Sequence, residues 1–266
     1  MSPEETPPYT APTSPEPPRE EPMSCAAGET PAPERYPFWN YLDIVLFLGM
    51  ALPSILAAGL VVKIVFLVPG LRAAPQVVEL LAAQFMVYAL LFGFLLAIFR
   101  VRYDKPFWRS LAWTPPRIPF LWIVIAGFVT GILVVVASNL IHTPDTPNPM
   151  TELMEGRASL IAMAIFGVTV APLCEELGFR GFLQPLLVKS LGAAPGILLT
   201  AIPFGLLHWQ EYGNSWRHVV VIAGAGAAFG WMRQATGSTR AAVLMHASYN
   251  ALFFAALLRK DLPHGW

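Results

Sequence analysis

Two adjacent carboxylates, Glu175 and Glu176, sit in the stretch VAPLCEELGFRGFLQ at residues 170–184, with Arg180 close behind and an almost wholly apolar run back to Ser159 on the N-terminal side. Charges in such surroundings are costly, so they are either an interfacial cluster at a helix end or groups with a chemical role. Helical spacing separates the two carboxylates. Arg180 lies four residues after Glu176 and shares its face, a pairing that stabilises both charges. Glu175 is turned about 100° away and is free to keep a different partner, as a general base must.

Two further elements carry imidazoles. In FGLLH, Phe204 and His208 are four residues apart on one helical face, where the ring of Phe204 can brace the histidine. With a turn at Gly192, Glu175 stands 17 residues before it and His208 stands 16 after it. At ~1.5 Å rise per residue both are about 25 Å from the turn, level with each other in an antiparallel hairpin. In MHASYN, His246 and Asn250 are again four apart, on a helix otherwise built of Ala, Val, Leu and Phe. Asn250 can fix the imidazole or donate to an oxyanion; the structural alternative is a hydrogen bond that only holds helices together. His246 lies nine residues past a turn near Gly237, roughly 13 Å by the same rise, so it reaches the depth of the others only if that turn is sunk. His142, His218 and His264 fall in or beside loops. Cys174 is turned away from Glu175 and reads as a packing residue, not a nucleophile.

The elements that must hold these groups are apolar helices. The chain has 266 residues, 55% of them hydrophobic and 13% charged, against about 25% charged in soluble domains, and a mean hydropathy of +0.55. Apolar runs near the ~20 residues that cross a bilayer follow one another at 42–68, 76–99, 119–141, 158–190, 194–208, 217–233 and 239–258. The expected fold is therefore all-α, a polytopic integral membrane bundle of about seven transmembrane helices over residues 38–266. GAGAAFG at 224–230 spaces Gly226 and Gly230 for close helix packing in lipid. Residues 1–37 hold eleven prolines, seven acids and two basic residues, too few apolar side chains to build a core, and are expected to be a disordered tail. Zero formal net charge, with no basic patch interleaved with aromatics, argues against a nucleic-acid partner. The two cysteines, Cys25 and Cys174, offer neither a disulfide framework nor a cysteine zinc site.

Taken in order and in an apolar helical setting, EELGFR, FGLLH and HASYN resemble the CAAX protease and bacteriocin-processing (CPBP, or Abi) family of intramembrane endopeptidases, whose pattern reads E-E-x-x-x-R, F-x-x-x-H and H-x-x-x-N. The resemblance covers about residues 155–260. It implies a helical membrane fold with a water-accessible cavity, and an activity such as that of the type II endopeptidases that trim prenylated CAAX proteins; lysostaphin resistance protein A-like proteins belong to the same family. By this resemblance Glu175 is the general base acting on a water that His208 also holds. His246 and Asn250 are the oxyanion donors, groups typically worth about 3 kcal/mol each, and Glu176 is locked by Arg180 in support. Zinc held by Glu175, His208 and His246 is the other arrangement compatible with the set, since two imidazoles and a carboxylate leave a position for water; the H-E-x-x-H zinc motif is absent. The partners implied are the lipid bilayer and a membrane-associated peptide or protein, prenylated if the CAAX specificity carries over. Two other classes compete: a proton-coupled transporter, against which stand the single level of the polar groups and the lack of an inverted repeat, and a non-catalytic scaffold descended from the protease.

Between the second and third runs, Arg100, Arg102, Lys105, Arg109 and Arg117 face a single Asp104. That excess marks the loop as cytoplasmic and, two spans earlier, puts the N terminus on the same side of a multi-pass cell-membrane protein. Cysteines introduced between residues 100 and 117 should be protected from impermeant thiol reagents in intact cells; ready labelling would reverse the topology.

Overall fold

The computed structural model describes residues 36–144 and 149–260, all of them helix, turn or extended connection with no strand. The seven apolar runs are seven helical segments: α1 (Tyr41–Val65), α2 (Gln76–Arg102), α3 (Phe120–Leu140), α4 (Arg157–Leu191), α5 (Ala193–Leu207), α6 (Trp216–Thr236) and α7 (Thr239–Lys260). Five of them, α1 to α4 and α7, are long and apolar enough to cross a bilayer. Helix α5 has only 15 residues, and α6 carries Arg217 and Arg233. Only 11% of the most apolar window of α2 and 17% of that of α1 is buried in the protein, so their Leu, Val, Ile and Phe side chains face outward, an arrangement stable only in lipid. The protein is a polytopic helical membrane bundle. Most of the expected N-terminal tail, residues 1–35, lies outside the described residues. Tyr36 and Pro37, read from sequence as part of it, are tied to the bundle: Arg233 donates to the Tyr36 hydroxyl at 2.9 Å and Lys189 to the Pro37 carbonyl at 3.0 Å.

Two turns set the depth of the polar groups. Gly192, at φ +89°, joins α4 to α5 as an antiparallel hairpin; only glycine adopts such a conformation freely. Gly237, at φ +66°, caps α6 in the left-handed region and starts α7. This second turn does not lie at the surface. Ser238 and Thr239 are fully buried beneath the segment that follows the short helix Phe107–Ser110. Their hydroxyls donate to the Thr114 and Leu111 carbonyls, and the Thr239 amide donates to the Ala112 carbonyl. The turn is thus sunk into the protein, the condition under which His246 can reach the other polar groups.

Helix α4 is interrupted rather than straight. Pro172 has no N–H to give and its ring collides with the carbonyl four residues back, and the helix breaks at Thr169, where φ and ψ are −118° and −72°. After Glu176 the backbone widens into a π-helical stretch, Leu177–Leu183, before resuming as α-helix to Leu191. Trp39 uses a carbonyl of that stretch, its indole donating to Phe182 O at 3.0 Å. Trp39 also packs with Phe99, Leu111, Phe182 and Leu186 in one of two apolar cores. The second core, with Ile123, Phe204, Phe229 and Met245, surrounds the polar cluster.

Helix α7, which carries His246, is held closely against α3 and α4 through glycines. A Cβ on Gly127 would collide with the Met245 carbonyl and come within 2.7 Å of Ser248 Cβ; one on Gly167 would meet the Phe254 ring at 2.6 Å. Gly127→Ala should therefore cost about 1–3 kcal/mol, as overpacking does, and lower activity with it. Gly59→Ala, where no atom lies within 4 Å of the new methyl, should be neutral or mildly stabilising. Thermal unfolding of both variants in one detergent tests the contrast.

Candidate active site

Arg180 is wholly enclosed, with no solvent exposure, and so is its partner Glu176. Arg180 Nη1 donates to Glu176 Oε1 at 2.9 Å, one helical turn apart as their spacing predicts. Its Nη2 reaches the Gly226 carbonyl of α6 at 2.5 Å, and one turn further on Gln184 donates to the Gly230 carbonyl at 2.9 Å. This explains the two glycines. A Cβ on Gly226 would come within 3.0 Å of Arg180 Nη2, and one on Gly230 within 2.8 Å of Gln184 Oε1. The small residues expose helix carbonyls to these donors as well as allowing close packing. Aromatic rings complete the cage, with the guanidinium 4.4 Å from the Phe204 centroid and 5.6 Å from that of Phe229.

Glu176 Oε1 also accepts from His246 Nδ1, at 2.9 Å. The sequence assigned Glu176 to Arg180 alone; here the carboxylate serves both groups and anchors the imidazole. His246 is further fixed by stacking on Phe229, with centroids 4.5 Å apart and planes 18° apart. Because a carboxylate paired with arginine only accepts hydrogen bonds, Nδ1 carries the proton and Nε2 is the free nitrogen of the neutral ring. Nε2 stands 3.9 Å from Glu175 Oε2. His208 is held in the same sense: its Nδ1 bonds the Phe204 carbonyl at 2.8 Å, which leaves Nε2 free. Phe204 braces His208 as expected, with centroids 5.1 Å apart, and its ring also touches His246 at 5.8 Å. Glu175, unlike Glu176, keeps some access, with 21% of its side chain exposed.

Asn250 has another partner. Its amide donates to the Gly167 carbonyl at 2.6 Å, beside the break in α4, so it ties α7 to α4 and does not fix the imidazole; that position belongs to Glu176. Motif spacing passes over three neighbours. Tyr88 of α2 donates to Glu175 Oε1 at 3.5 Å, and Gln84, one turn earlier, lies beside the same phenol. Their signal in the sequence is a polar i,i+4 pair in an apolar helix, the pattern that singled out His246 and Asn250. Glu211 lies in the turn between α5 and α6. Burial raises its carboxyl above the usual range, while His208 draws it down and Glu175 pushes it up, which places each of the two within electrostatic reach of Glu211.

Zinc was one arrangement suggested for Glu175, His208 and His246. The donor types suit it, and both imidazoles present a bare Nε2, but among the described residues no three His, Cys, Asp or Glu side chains converge closely enough to hold an ion. The arrangement as it stands does not fit a metal, and no step below is routed through one.

Removing the charge of Glu176 tests the anchor. Glu176→Gln preserves shape but leaves Arg180 buried without a counter-charge, a loss of about 3–5 kcal/mol. Removing both charges with Glu176→Gln and Arg180→Met together should recover part of that stability. Thermal unfolding of the single and double variants measures both effects, and a stable single variant would show the pair to be solvated.

Residues 157–252 match the family described as Rce1-like, Type II CAAX prenyl endopeptidase Rce1-like. The match spans all three motifs and bears out the family resemblance read from them. It supports an intramembrane endopeptidase of the CAAX type. No curated protein and no solved structure gave a significant match.

Proposed function

We propose, proceeding from an Rce1-like domain at residues 157–252, that the protein hydrolyses a peptide bond of a membrane-associated substrate inside the bundle, with prenylated CAAX C termini as the substrate class. The observation that carries this reading is the approach of a partly accessible carboxylate, Glu175, to an imidazole nitrogen at 3.9 Å whose other nitrogen is anchored by a buried ion pair. With His246 held against one side of it, the accessible part of Glu175 is left for a water.

In this mechanism the water donates one hydrogen to Glu175 and the other to the bare Nε2 of His208, so its lone pair is directed at the substrate carbonyl. Glu175 takes a proton as the water oxygen bonds to the carbonyl carbon. The negative charge that develops on the carbonyl oxygen needs a donor. His246 provides it when Nε2 also carries a proton, with the ring held at Nδ1 by the Glu176 carboxylate. Collapse of the tetrahedral intermediate breaks the carbon–nitrogen bond, and the proton held by Glu175 passes to the leaving amine. Glu176 and Arg180 touch no reacting atom; they set the orientation of His246. Asn250, already bonded to Gly167, sets the height of α7 one turn beyond His246 and is assigned no oxyanion contact.

Glu175→Gln keeps the shape of the base and removes its proton affinity. Cleavage of a farnesylated CAAX peptide by the purified protein should fall at least a hundred-fold, on the order of what a general base contributes, with the unfolding transition little changed. Membrane proteomes of cells carrying the wild-type or the Glu175→Gln protein should then differ in peptides cut only by the former. Undiminished cleavage by Glu175→Gln would falsify the assignment of the base.

A further inference from the structure

Helix α2 lies wholly outside the matched residues 157–252, yet it sends one polar group to the site. Between Gln84 and Arg100 every residue of α2 except Tyr88 has an apolar side chain or none. A phenol hydroxyl in such a helix is costly unless it finds a partner. Tyr88 finds the carboxylate of Glu175, its hydroxyl 3.5 Å from Oε1. The ring lies nearly parallel to that of Phe166 on α4, with planes 9° apart and centroids 6.4 Å apart. The ring is thereby located independently of the hydroxyl's bond to Glu175.

The two oxygens of Glu175 thus face different groups: Oε1 the Tyr88 hydroxyl, Oε2 the Nε2 of His246 at 3.9 Å. An otherwise mobile carboxylate is bracketed from two helices. Taking as its premise the hydrolytic reading above, we propose that Tyr88 is a positioning residue: its hydroxyl holds Oε1 and so turns Oε2 toward His246 and the attacking water. A separation of 3.5 Å is long for an O–H···O bond; hydrogen bonds in catalytic sites without substrate commonly have this length and tighten when substrate binds. The phenol acts through Glu175 and contacts no reacting atom.

The test uses the full chain in detergent and separates the hydroxyl from the ring. Tyr88→Phe keeps the contact with Phe166 and loses the hydroxyl. On a farnesylated CAAX peptide it should lower kcat about ten- to a hundred-fold, the scale of a misplaced catalytic group, with KM and the unfolding temperature close to wild type. Tyr88→Leu, which also removes the ring, should lower stability too. In a Glu175→Gln background Tyr88→Phe should change the residual rate no further, since the group it positions is gone; a purely structural role would lower both backgrounds alike. Independently of turnover, the ¹⁹F resonance of 3-fluorotyrosine at position 88, assigned by its loss in Tyr88→Phe, should move in Glu175→Gln and stay in place in Glu155→Gln, whose side chain is exposed. Wild-type turnover by Tyr88→Phe, or a fluorine signal indifferent to Glu175, overturns the positioning role while the hydrolytic reading stands. A wild-type protein that cleaves nothing overturns the hydrolytic reading, and this role with it.

Discussion

A fully buried glutamate–arginine pair is an expensive thing to keep inside a membrane bundle, and much of the architecture reads as the means of keeping it. Desolvating two charges costs several kcal/mol each, an amount their mutual attraction offsets only when the remaining hydrogen-bonding capacity is largely met. Arg180 meets part of it with the Gly226 carbonyl and the faces of Phe204 and Phe229, its Nε keeping no hydrogen-bond partner among the described residues. Glu176 meets part of it with His246 through Oε1, and its Oε2 keeps none. The partners come from three other helices, so one ion pair fixes the relative placement of α4, α5, α6 and α7. The same pair settles which nitrogen of His246 is free, and through that nitrogen it reaches Glu175.

The division between the two adjacent glutamates follows from the helix itself. One faces the cage and is sealed; its neighbour, turned by one residue, faces the partly accessible side, where Tyr88 and His246 flank it. Sequence neighbours thus end in opposite environments, one sealed and the other partly accessible. The break at Thr169 and the π stretch after Glu176 sit on either side of them, at the point along α4 where regular helix gives way.

Helix periodicity and hydropathy made the seven segments legible, and i,i+4 spacing made the Glu176–Arg180 and Phe204–His208 relations legible, because each of these depends only on local geometry. What depends on a neighbouring helix was harder to read. The sequence offered Asn250 as an anchor for His246, but the imidazole is bound by Glu176, 70 residues away in the chain, a partner no local spacing reveals. Tyr88 went unremarked because a tyrosine in an apolar helix is ordinary until its hydroxyl has a destination. Counting residues from Gly237 left the depth of His246 conditional on a sunken turn, and spacing alone could not show that Ser238 and Thr239 are buried under Leu111 to Thr114.

That buried turn has a temporal side. Residues 111–114 leave the ribosome more than a hundred residues before Ser238 and Thr239, so the ceiling against which the last hairpin docks is laid down early and waits. Helix α7 acquires its depth only on meeting that ceiling, and His246 meets Glu176 only once α7 is at depth. A nascent chain therefore carries both glutamates through the 70 residues that separate Glu176 from His246 without the imidazole that completes their arrangement. The contact between Glu176 and His246 is the last part of the cluster to be supplied, because it waits for the final helix.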